Sequence, residues 1–285
     1  MRNMMDEQTA LGIASHFYDA IGGVEGERRL RSPEFLEAER LYFQKAMVLQ
    51  VSAFPLLDQH FPFTDPKQYA ASALGFSIFD HLRQGWLSLE ENYCLVSMTI
   101  ARNIFEAVVF LTAIGVGTAA DFGGRSKTKI DTWLARWWKD EFEPGTVLKL
   151  IDLVDKEMSK RSTSVGKSEW ARSSENLWRA IRGWAHANWV PIARSGVQVK
   201  YKQEQGETPA ISFGGQLSSP EQSKVVGYLY AHFAVDAVFA LGLAFTPQLA
   251  DHSEWWRRKD TLMTEHHKWS RSIDSRQMMR NNPCD

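Results

Sequence analysis

Two stretches of this chain, residues 104–120 and 225–245, are apolar along almost their whole length, so neither can present much of its circumference to water. About 20 consecutive apolar residues would span a bilayer. Both runs nevertheless carry groups that a span would exclude. The first is entered through Arg102 and Glu106 and is punctuated by Gly115 and Gly117, and the second holds His232 and Asp236 near its middle. They are therefore expected to be central helices of a globular core, apolar nearly all round because other elements surround them. A chain of 285 residues is long enough to supply those elements without disulfide or metal staples.

The remaining elements follow from periodicity and stop signals. Leu11, Ile13, Ala14, Phe17 and Ile21 recur at helical spacing and end at Gly22 and Gly23, which predicts a peripheral helix within residues 1–30. Ser32, Pro33 and Glu34 form a start signal for a second helix, expected to be interrupted at Pro55. Thr64 or Asp65 can cap a third helix through Trp86, and a turn near residues 87–91 leads into the first apolar run. Residues 117–129 have loop composition. A helix bearing Trp133, Trp137 and Trp138 follows, then another with Val147, Leu150, Ile151 and Val154.

A helix starting near Ser168 should end at Pro191, because the residue before a proline is pushed out of helical geometry. Between 196 and 215 the period changes to two, with Val197, Val199 and Tyr201, then Gly206, then Ile211 and Phe213, which predicts a β-hairpin lying on the helices. Ser219 and Pro220 launch the second apolar helix, and Asp251 or Ser253 can cap a last one before a frayed tail at 270–285. The expected fold is one mainly α, multi-helix bundle domain over 1–285, with a small inserted hairpin.

With 33 basic against 34 acidic residues, the net charge of −1 creates no overall field toward nucleic acid or an anionic membrane. Any polyanion contact must be local. The two cysteines, Cys94 and Cys284, provide neither a disulfide framework nor a metal-ligand pair, and the N-terminus lacks a secretory signal pattern. A cytoplasmic setting is expected, with no membrane contact and no cofactor or metal.

The strongest local candidate for a site is residues 177–189, where two arginines and a histidine stand at helical spacing among Trp178, Trp184 and Trp189. On a helix, Arg179, Arg182 and His186 fall within about 60° of one another, so their polar ends can converge on one anion. Arg102 and Glu106 are four apart on an apolar helix and can form an ion pair, since buried charge is costly unless paired. Glu106 could alternatively orient an arginine or His186.

Other patterns are weaker. His232 and Asp236, also four apart, fit a hydrogen-bonded pair or half of a metal site, and the pair is favoured because no other ligand cluster has obvious reach. His266 and His267 are adjacent, so on a helix they point about 100° apart and cannot chelate one ion together. Residues 164–168 end like a phosphate loop, but Arg161 stands where its first glycine should be.

Arg102-Asn-Ile-Phe-Glu-Ala-Val-Val-Phe-Leu resembles the R-x-x-x-E core helix of the DUF5677-type proteins, an uncharacterised bacterial helical family. Residues 177–188 are similar to that family's later helix, which ends in a histidine followed by a small residue. More broadly, an arginine preceding a histidine on a bundle helix is similar to the R-x(4 to 6)-H signature of HEPN-type ribonucleases and toxins. Arg179 fits that spacing to His186, whereas Arg182 stands too close.

The resemblance implies a metal-independent endoribonuclease of toxin or phage-defence type, acting on RNA as a homodimer that pairs two such helices. His186 would be its acid or base, Arg179 or Arg182 would stabilise the phosphorane charge, and Glu106, Arg102 and Asn188 would support them. The alternative is a non-catalytic helical module that binds a protein partner or a small anionic ligand through the same cleft.

Overall fold

In a computed structural model, the described residues are 36–61, 63, 66–91, 93–117, 146–160, 168–185, 197–200, 210–213 and 220–273. Seven helices occur among them: α1 (Glu37–Asp58), α2 (Pro66–Glu90), α3 (Cys94–Val116), α4 (Thr146–Ser159), α5 (Glu169–Ala185), α6 (Pro220–Ala244) and α7 (Ser253–Ser272). The two apolar runs form α3 and α6, and each of the other five helices packs on at least one of them. Helix α2 touches both, α1 and α7 cover α6 and each other, and α4 and α5 lie as a pair on α3.

Burial follows composition closely. From Ile104 to Leu111 only Glu106 is not buried, and from Leu229 to Leu241 only His232, Asp236 and Phe239 are not. By length and composition Val96–Val116 and Ser223–Ala244 could cross a membrane, but 67% and 72% of those windows are buried inside the structure, as central helices of a bundle require.

A buried hydrogen-bonded junction locks α2, α3 and α6 together. The Tyr230 hydroxyl on α6 donates to the Ser97 carbonyl at 2.7 Å, and the Ser97 hydroxyl donates to the Gly85 carbonyl of α2 at 2.8 Å. Tyr230 is fully buried, and burial pushes its phenol well above the usual range, so it stays a neutral donor. Glycine is required at position 85 because any Cβ there would collide with the Tyr230 ring. Two further bonds fasten α1: Gln50 Nε2 donates to the Ala234 carbonyl of α6 at 3.1 Å, and the Trp255 indole of α7 donates to the Leu49 carbonyl at 3.1 Å.

Several boundaries differ from expectation. Pro55 does not interrupt α1, which continues to Asp58. The proline frees the Val51 carbonyl four residues back, but both residues are exposed, so water can satisfy it while buried Leu57 favours one more turn. Helix α3 runs past Gly115 to Val116 and stops at Gly117, whose left-handed φ of 87° caps it. Helix α7 is preceded by His252, with no side-chain cap from Asp251 or Ser253.

The inserted hairpin expected at 196–215 is not seen in the helical body. The backbone pairs Val197 with Phe213 and Lys200 with Ala210 in antiparallel register, but four residues a side are too few to make a structural layer. The expected N-terminal helix, the Ser32 start signal, the Trp133 helix and the tail beyond residue 273 lie outside the described residues.

Two substitutions test the junction. Tyr230→Phe should lower unfolding stability by about 1 kcal/mol through the lost hydrogen bond, and Gly85→Ala by about 1–3 kcal/mol through overpacking. Denaturant midpoints at constant slope would measure both, and a Gly85→Ala protein as stable as the parent would contradict the close approach.

Candidate functional site

The candidate helix α5 begins where Ser168 caps it, the Ser168 hydroxyl accepting the Ala171 N–H at 3.1 Å. Asp155 on α4 fixes that cap by accepting the Ser168 N–H at 3.1 Å. One face of α5, with Ala171, Ser174, Leu177, Trp178 and Ile181, is buried. The opposite face carries Arg172, Asn176 and Arg179, all exposed and spaced i, i+4, i+7 along a single stripe.

Trp178 is the anchor. Its ring stacks on Phe105 of α3 at 5.9 Å between centroids, and Phe105 in turn meets Phe233 of α6 at 5.8 Å. The Arg102 guanidinium lies 5.6 Å from the Trp178 ring centroid while its Nε donates to Glu106 Oε1 at 2.9 Å. The Arg102 and Glu106 side chains keep 32% and 24% of their exposure, so the pair sits at the edge of the core where water still screens it. The ion pair read from the sequence therefore exists, and it braces the α3 side of the α5 contact.

The expected site is brought together only in part. Helix α5 lies against the Arg102 and Glu106 helix, but Arg179 faces outward, away from the buried Trp178 face. The backbone is helical through Arg182 to Ala185. His186, Asn188 and the expected end at Pro191 lie outside the described residues, as does the side chain of Arg182.

A second cluster was only half legible in the sequence. His232 Nε2 lies 3.5 Å from Asp236 Oδ2 on α6, the pairing expected from their spacing. The unexpected member is His266 of α7, whose ring centroid is 5.3 Å from that of His232. Tyr228, Tyr42 and Trp269 wall this cluster: Tyr228 stacks on His232 at 6.1 Å, and Tyr42 and Trp269 lie 5.6 and 5.4 Å from His266. His266 is buried while His267 is exposed, as their 100° separation on a helix requires.

Burial, helped by His232 and His267, lowers the His266 pKa to about 3, so the ring is neutral. Burial raises that of Asp236, and the neighbouring His232 opposes the rise. Two ring nitrogens, His232 Nδ1 and His266 Nε2, are buried without a protein hydrogen-bond partner. Among the described residues no group of three or more His, Cys, Asp or Glu side chains is arranged to hold a metal ion.

Comparison with protein-family models, curated proteins and solved structures finds no match to this chain.

Truncating the α5 anchor should matter far more than neutralising the ion pair. Trp178→Ala should cost about 3–5 kcal/mol of unfolding stability, and Glu106→Gln less than about 1 kcal/mol, measured by denaturant unfolding. Equal losses would mean that Arg102 and Glu106 are more tightly built into the core than their exposure indicates.

The His266 environment also predicts an acid limb. The imidazole titrates near 3 in the fold and at 6.5 in the ordinary state, so between those values the unfolded chain binds the extra proton. Stability therefore falls as pH drops below 6.5, by at most about 1.4 kcal/mol per pH unit for one proton. His232 from α6 and Tyr42 from α1 lie against His266, with Glu265 and His267 beside it on α7; Asp236 and Tyr228 of α6 meet His232, and Lys45 of α1 bonds Glu265. Protonation of Asp236 acts in the opposite direction, so the measurement is the difference between parent and His266→Phe. The variant should lose part of the acid slope between pH 6.5 and 4.

Proposed function

We propose that this protein is a non-catalytic module, a single helical domain that binds a small anionic ligand along the outward face of α5. One observation carries the reading: Arg172, Asn176 and Arg179 form an exposed stripe on a helix whose opposite face is anchored through buried Trp178. An arginine fork is suited to carboxylate or phosphate, and a helix held rigidly against the core presents it with little ordering cost. Arg102 takes no part, because its guanidinium already pairs with Glu106. The net charge of −1 gives the chain no overall positive field that would favour a long polyanion.

A second reading is the metal-independent endoribonuclease of HEPN type. What favours it is that His186 follows Arg179 by seven positions, two helical turns, and so extends the same stripe in the sequence. His186 would then be the acid or base, with Arg179 or Arg182 stabilising the phosphorane and Glu106 acting only as a positioning residue. That reading needs a homodimer pairing two His186-bearing helices, and it carries the likeness to DUF5677-type proteins, the toxin or phage-defence setting and the cytoplasmic location with it. In either reading the paired segments 197–200 and 210–213 would form a hairpin inserted in the chain between α5 and α6.

Titration calorimetry with pyrophosphate as the probe, alongside incubation with a single-stranded RNA oligonucleotide in EDTA, separates the two. Salt-sensitive pyrophosphate binding should weaken by roughly tenfold or more in Arg172→Ala/Arg179→Ala, persist in His186→Ala, and leave the RNA intact. Binding that is absent, or unchanged in the double arginine variant, would overturn the binding-module reading. RNA cleavage in EDTA that is lost in His186→Ala would put the nuclease in its place.

A further inference from the structure

Helix α1 has two apolar faces, and the described bundle uses one of them. Phe43, Ala46, Leu49, Ala53 and Leu57 are buried in the core. On the opposite side Leu41, Val48 and Val51 keep 47%, 60% and 48% of their exposure, and Gln44 between them is exposed as well. These four stand three, four and three residues apart, the seam spacing of a helix with a second helix packed along it.

The outer face continues onto α2. Phe54 of α1 stacks on Phe76 of α2 at 4.3 Å between centroids, and Phe76 is itself half exposed. Tyr69, seven residues before Phe76 and so on the same side of α2, is exposed too. Contiguous exposed apolar patches of a few hundred Å2 mark contact sites. Two charges at the margins of the patch are already engaged, Arg40 Nε donating to Glu90 Oε1 at 3.2 Å and Lys45 Nζ to Glu265 Oε2 at 2.7 Å, so an apolar occupant need not supply a partner for either.

The chain carries an occupant of matching period. Among the 35 residues that precede Leu36, which lie outside the described residues, Leu11, Ala14, Tyr18 and Ile21 also stand three, four and three apart. On a helix these four would share one face, with Gly12, His16 and Asp19 roughly 120–180° away from it. Laid antiparallel, the two stripes meet position for position: Ile21 on Leu41, Tyr18 on Gln44, Ala14 on Val48 and Leu11 on Val51. The one polar side chain of the α1 stripe then meets a phenol that can hydrogen-bond it.

The connection favours this direction. Antiparallel docking returns Ile21 to the beginning of α1, so residues 22–35 have roughly 12 Å to cover, against roughly 24 Å for parallel docking. A short linker holds a tethered segment at an effective concentration on the order of millimolar, which a second copy of the chain at micromolar levels does not reach.

We propose that residues 11–21 dock as an antiparallel helix on the outer face of α1, covering the α1 and α2 patch from within the same chain. The face is separate from the α5 stripe, since α1 packs on α6 and α7 while α5 lies on α3.

The test uses the full-length protein with Cys284→Ser, which leaves buried Cys94 as the only native thiol. Under mild oxidation, Ala14→Cys/Val48→Cys and Leu11→Cys/Val51→Cys should each form a disulfide within one chain, because facing seam positions bring their Cβ atoms within bonding reach. His16→Cys/Val48→Cys, from the opposite face of the segment, should form none. Non-reducing electrophoresis and peptide mass spectrometry read the bond and whether it lies within or between chains. Independently, Val48→Asp/Val51→Asp should raise chymotryptic cleavage after Phe17 and Tyr18 at least roughly tenfold while the core helices stay uncut. No bond in either facing pair, an equal yield from the His16 pair, or cleavage unchanged by the aspartates would overturn the proposal. Bonds between chains would overturn it equally and give the face to a second copy.

Discussion

The Tyr230 phenol is the interaction on which the arrangement of α2, α3 and α6 depends. Two apolar helices attract each other without direction, since burial of apolar area has no preferred register. Direction comes from the few polar groups caught between them. The hydroxyl of Tyr230 must find an acceptor once buried, and the Ser97 carbonyl is the one it finds. Ser97 passes the constraint on to Gly85, where the ring lies so close that α2 can approach only without a side chain. Gln50 and Trp255 repeat the principle at α1, each donating to a backbone carbonyl across a helix seam.

Two polar pairs of the central helices lie where a covering helix meets them. Arg102 and Glu106 sit at the edge of α3 under Trp178 of α5, and His232, paired with Asp236 on α6, meets His266 of α7, which in turn touches Tyr42 of α1. In each case a polar pair interrupts an otherwise apolar helix at the contact with an aromatic residue from outside. The first pair is satisfied by its own members and braces the bundle. The second leaves one buried ring nitrogen on each of two imidazoles without a protein hydrogen-bond partner.

Much of this was legible from residue order. The apolar runs announced the central helices, the Arg102 to Glu106 spacing announced the ion pair, and the period in 168–185 announced an amphipathic α5 with its start at Ser168. Pro55 was misleading because its effect depends on whether the freed carbonyl reaches water, which only the packed helix shows. The alternation near Val197 was too short for its consequence to be read locally. Of the arginine and histidine stripe, Arg179 is exposed as helical spacing allows, while His186 and Asn188 lie outside the described residues.

By itself the sequence determined that the described segments α1 to α7 are helical, that α3 and α6 must be surrounded, and that α5 is amphipathic, because those properties depend on neighbours within a few residues. Only the tertiary structure decided that His266 meets His232, that Tyr230 reaches Ser97, and that Arg102 rests on Trp178. These are contacts between residues far apart in the chain. Their geometry is set by how closely two helices can approach, and periodicity within one helix carries no information about the helix that will cover it.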